Sequence, residues 1–133
     1  MEYLVGLLVA VLVWTFALVT RFNRDGAFYP TVLIIVGHYY VLFAVMAGSS
    51  HAIINESIAG AVFVLLAVAG FRRSLWIAAV GLVGHGVFDF FHHLLIANPG
   101  VPAFWPGFCL SFDVVAGALL GLLLIRRERR KVL

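Results

Sequence analysis

Residues 75–98, LWIAAVGLVGHGVFDFFHHLLIAN, are apolar enough to cross a bilayer as one helix, yet they hold four ionisable side chains within nine positions. A membrane helix needs about 20 mostly apolar residues. At 100° per residue, His85, Asp89, His92 and His93 fall within roughly a 100° arc, so the segment carries one polar stripe on an apolar body. Each ionisable group at membrane depth costs about 2.5–3.5 kcal/mol on insertion scales. Four on one face need partners, water or a metal ion.

The rest of the chain has the same character. Of its 133 residues 64% are hydrophobic, with nine basic and six acidic side chains. A soluble domain of this size would need more polar surface to cover its core. The length fits one membrane domain, residues 1–133. Five segments qualify as spans: about 3–20, 31–49, 54–71, 75–97 and 107–125, an all-α bundle. The intervening stretches hold Arg21, Arg24, Asp25 and Gly26 up to Pro30; then Gly48 to His51; then Arg72-Arg73-Ser74; then Asn98 to Gly107, whose prolines and glycines forbid a continuous helix. Cys109 is the one cysteine, so neither an intrachain disulfide nor a thiolate zinc site is available. Met1-Glu2-Tyr3 lacks the basic start of a cleavable signal peptide.

The basic residues test the span count. Arg21 and Arg24, Arg72 and Arg73, and Arg126, Arg127, Arg129, Arg130 and Lys131 all fall on one side of a five-span bundle. Four spans would split them. By the positive-inside rule the basic side is cytoplasmic, with the N-terminus out and the C-terminus in. The net charge of +3 is then a topology signal and no nucleic-acid partner is expected, although the run 126–131 also suits anionic lipid.

With that orientation, depth follows from a rise of about 1.5 Å per residue. His92 and His93 lie about one turn inside the outer end, Asp89 a turn deeper, and His85 and His38 near the middle. Asp113 is roughly 9 Å down its own span, close to the level of Asp89. Glu56 opens the third span, and His51 lies in the loop before it. Asp113, Gly117 and Gly121 share one face, and Gly117-xxx-Gly121 allows close helix approach, either within the chain or in a homo-oligomer. Ligands at i,i+3 and i,i+4 on a helix can share an ion. The expected metal ligands are Asp89, His92, His93 and Asp113. Imidazole with carboxylate suits zinc, iron or manganese, and zinc or iron is the expected cofactor. Glu56 or His85 is expected to move protons beside a metal-bound water whose pKa falls to about 7.

Each residue also has a plainer role. Asn55 suits a helix N-cap with Glu56 favoured by the dipole. His38 suits a hydrogen-bonded packing position and His51 a solvated loop. One of His92 and His93 points about 100° from the other and can serve as support only.

The stretch from Gly84 to Gly117 carries Phe88-Asp89-Phe-Phe-His92-His93, then Asn98-Pro99-Gly-Val-Pro102, then Cys109-Leu-Ser-Phe-Asp113. It resembles an uncharacterised family of small bacterial integral-membrane proteins, a domain of unknown function. The family pattern is aromatic-Asp-x-x-His-His, Asn-Pro-x-x-Pro and a Cys four residues before an Asp. The resemblance implies that Asp89, His92, His93 and Asp113 form one unit closed by the proline loop, in a bacterial inner membrane. It implies no reaction. By analogy alone, His and Asp ligands inside membrane helices are similar to those of the membrane zinc hydrolases of the ceramidase and progestin-receptor type.

The function expected first is a metal-dependent membrane enzyme, a hydrolase in preference to an oxidoreductase, acting on a lipid or other lipophilic small molecule. The second is a proton or metal-ion transporter using His38, His85, Asp89 and Asp113; against it, the cytoplasmic half has no polar residue to continue a path. The third is a non-catalytic accessory subunit with the polar cluster as interhelical glue.

Overall fold

Long apolar runs separated by turn-forming residues give five helices: α1 (Glu2–Thr20), α2 (Phe28–Met46), α3 (Ser50–Arg72), α4 (Leu75–Leu95) and α5 (Trp105–Val132). The computed structural model describes residues 1–132, and no strand occurs among them. All five helices are long and apolar enough to span a membrane.

The helix ends follow local chemistry. Arg21 closes α1 in the left-handed region at φ 63°. Gly48, at φ 66°, lets the chain reverse between α2 and α3. Ser49 caps α3 through its hydroxyl, which accepts from the Ala52 amide at 3.3 Å. Ser74 caps α4 in the same way, accepting from Trp76 at 3.4 Å. Several boundaries differ from the sequence expectation, and α2 also ends three residues early, at Met46. Helix α2 starts at Phe28 because Pro30 fits the first turn, where amides have no helical partner. Helix α3 starts at Ser50, not near Ile54, so His51 and Asn55 are helical and Glu56 lies almost two turns inside. Helix α5 continues to Val132, so the basic run 126–131 is helical.

Helix α5 packs between α1 and α4, α3 packs on α2 and α4, and α2 also meets α4. Small residues set these approaches. A Cβ on Gly117 would lie 2.8 Å from the Ala79 carbonyl oxygen and 2.7 Å from Val83, so α5 presses directly on the α4 backbone. Gly121 faces the Trp76 ring, which places the whole Gly117–Gly121 face inside the chain. The same device joins α2 to α3, where a Cβ on Gly60 would sit 3.1 Å from the Gly37 carbonyl oxygen. A buried apolar layer of Leu33, Ala67, Ala78, Ala79, Leu82, Ala116 and Leu120 fills the middle. Leu4, Leu12, Val19, Leu65 and Leu94 are among the large apolar side chains on the outside.

The two ends differ in chemistry. Arg127 donates to the Asn23 carbonyl at 3.3 Å, and the Trp76 indole donates to Glu128 at 3.0 Å. These contacts bring the α1–α2 connection, the start of α4 and the end of α5 together. All three basic clusters therefore share one end. At the other end Gly107 lies against Glu2 and Tyr3, and Gly100 against the Phe43 carbonyl.

Candidate metal centre

The α4 stripe faces α5 on one side and α3 on the other, and it divides between them. Towards α5, the His85 Nδ1–H donates to Asp113 Oδ2 at 2.7 Å and lies 3.3 Å from Asp89 Oδ2. His85 is 1% exposed, and Asp89 and Asp113 are 0% exposed. One ligand atom from each of the three lies within 4.8 Å of the others. Helical spacing brings His85 and Asp89 together at i,i+4, and the close α4–α5 approach at Gly117 and Gly86 brings in Asp113.

The trio is incompletely satisfied. His85 Nε2, both oxygens of Asp89, Asp113 Oδ1 and the nearby Tyr40 hydroxyl are buried without a hydrogen-bond partner. A buried polar atom left unpaired costs about 1–3 kcal/mol, and more when charged. A divalent cation would neutralise two carboxylates and partner acceptor oxygens that no donor reaches. One imidazole and two carboxylates form a donor set that zinc, iron and manganese accept. With bonds of about 2.1 Å, tetrahedral ligand atoms lie about 3.4 Å apart. The His85–Asp89 separation of 3.3 Å is close to that spacing, whereas the 2.7 Å between His85 and Asp113 is that of a hydrogen bond.

Towards α3, His92 Nε2–H donates to Glu56 Oε1 at 2.7 Å. Asn98 Nδ2 donates to the same oxygen at 2.8 Å and to the Tyr40 carbonyl at 2.9 Å. The Asn98-Pro99-Gly100 turn fixes that amide, because its Oδ1 accepts from the Gly100 amide at 3.1 Å. The Tyr40 ring stacks on His92 with centroids 4.0 Å apart. Tyr40 thus joins the two groups, with its ring on His92 and its hydroxyl end beside Asp89.

Several expected placements are corrected. His93 is exposed and belongs to neither group, because on α4 it lies at the edge of the stripe, beyond the arc that α3 and α5 cover. The group that forms around Asp89 and Asp113 includes His85 in place of His93. His92 pairs with Glu56 and not with Asp89. Glu56 is 1% exposed, far from a surface helix start. His38 is exposed, and its ring bonds its own helix at the Ile34 carbonyl, 2.7 Å away. His51 is exposed in the first turn of α3, 3.2 Å from the Asn55 amide.

Two openings approach the groups. A cleft of about 510 Å³ at the non-basic end is lined by Glu2, Tyr3, His92, His93, Asn98 and Pro102. A second, apolar groove of about 310 Å³ runs between α1, α2 and α5, with Val13, Val36, Tyr39, Cys109 and Phe112 among its walls. Cys109 also neighbours Asp89. Neither opening exposes the trio itself.

The chain was compared with models of known protein families, with curated proteins and with solved structures, and none matches.

Proposed function

We propose that the protein is a metal-dependent integral-membrane enzyme holding one divalent cation on His85, Asp89 and Asp113, with a lipophilic substrate and a hydrolytic reaction. The observation that carries the reading is the wholly buried His–Asp–Asp group with four of its polar atoms unpartnered. Catalytic zinc sites hold their ion on three protein ligands, the number that this trio offers. A cation bound there would bring the pKa of a coordinated water near 7. His92, one helical turn from Asp89 on α4 and bonded to Glu56, would pass protons to the cleft that it lines. The apolar groove between α1, α2 and α5, with Cys109 in its wall, offers a hydrocarbon chain a place close to Asp89. With the basic end cytoplasmic, the cleft opens outward.

Metal analysis of the detergent-purified protein tests the reading. About one equivalent of zinc, iron or manganese is expected. It should be lost in Asp89→Asn and Asp113→Asn and retained in His93→Ala, with helical content unchanged in all three. A folded wild-type protein that stays metal-free after incubation with each cation would make the trio an interhelical polar network.

A further inference from the structure

At the basic end a cleft of about 430 Å³ separates α1 from α5, with walls that include Trp14, Leu18 and Leu119 and with Arg126, Arg127 and Arg130 at its mouth. We propose that it binds one anionic glycerophospholipid from the surrounding leaflet, independently of the metal reading. Arg126 and Arg130 are i,i+4 on α5 and face the same way, with Arg127 beside them. Among the described residues no arginine forms an ion pair with a carboxylate. Glu128, the one acid in this run, accepts from the Trp76 indole instead. Arg127 spends one donor on the Asn23 carbonyl and keeps the rest of its fork. Three arginines lining one cleft without a counter-charge match a phosphodiester, which Arg binds through paired N–H donors.

The walls identify the rest of the ligand. Leucines continue below the arginines into the membrane-spanning part of the bundle, where an acyl chain lies and where a free phosphate or a nucleic acid gains nothing. Trp14 sits six residues before the end of α1, about 9 Å below it. Its indole Nε1 is buried without a partner. In a glycerophospholipid the ester carbonyls lie below the phosphate, at the depth of Trp14, whose buried N–H turns into the cleft to donate to one of them. Basic pockets between membrane helices on the cytoplasmic side are known to take anionic headgroups.

Native mass spectrometry of the purified full-length protein, titrated with phosphatidylglycerol or phosphatidylcholine of identical chains, tests this. One phosphatidylglycerol is expected to bind well ahead of phosphatidylcholine. At about one kcal/mol per basic residue, Arg126→Gln with Arg130→Gln should weaken it about thirtyfold. Arg72→Gln with Arg73→Gln removes the same charge outside the cleft and should change binding less than about twofold. Trp14→Phe should weaken both lipids several-fold without altering headgroup preference. Equal loss in the two double variants would reduce the site to diffuse surface charge and overturn the proposal. Equal binding of the two lipids by the unaltered protein would overturn it without recourse to any variant.

Discussion

His92 and His93 are neighbours in sequence and opposites in surroundings. His92 is buried, bonded to Glu56 and stacked on Tyr40, whereas His93 is exposed at the cleft. Removing His92 strips one partner from a buried carboxylate, and His92→Ala should lower stability by about 1–3 kcal/mol. His93→Ala should stay within about 0.5 kcal/mol. Thermal unfolding in detergent measures both, and equal losses would contradict the division of the stripe. The stripe, and the depth match of Asp89 with Asp113, were legible from helical periodicity alone. Which histidine faces α3 was not, because two residues 100° apart can be told apart only once the neighbouring helices are placed. Tyr40 and Asn98 escaped notice as site residues. Tyr40 had a signal, since Leu33, Gly37, Tyr40 and Ala44 repeat at three and four residues along the buried face of α2. Asn98 looked like a turn former, which it is, and its inward amide is a tertiary fact with no local signature.

The α4–α5 pair sets the geometry on which the trio depends. Because Gly117 meets the Ala79 carbonyl oxygen, Gly117→Ala must push the two helices apart or strain them. Overpacking of this kind costs about 1–3 kcal/mol, and the added separation would also draw Asp113 from His85. Gly84, on the same helix pair, has nothing within 4 Å of an added Cβ. Gly84→Ala should therefore be neutral or stabilise by up to about 1 kcal/mol through helix propensity. Thermal unfolding of the two variants separates the cases, and similar behaviour would refute the close approach. Helix number and type were readable from span length. The start of α3 was not, because Asn55-Glu56-Ser57 has the composition of a helix start, while the effective cap is the Ser49 hydroxyl a turn and a half earlier. Burial of Glu56 by His92 and Asn98 overrides the local preference that would have left it at the surface.

Across the whole molecule the basic residues gather at one end and the buried acids towards the other. If the positive-inside rule governs insertion, the Asn98–Phe104 connection faces outward and the Ser74 turn inward. Buried Cys109 makes a quiet background for labelling. Ala103→Cys should react with a membrane-impermeant maleimide in intact cells, and Ser74→Cys only after permeabilisation; the reverse pattern would invert the topology. Charge clusters made this end-to-end asymmetry legible before any coordinates. The apolar layer of Leu33, Ala78, Leu82, Ala116 and Leu120 has a consequence for proton movement. None of these five side chains offers a donor or an acceptor, so a proton that reached the acids from one end would find no relay among them towards the arginines at the other.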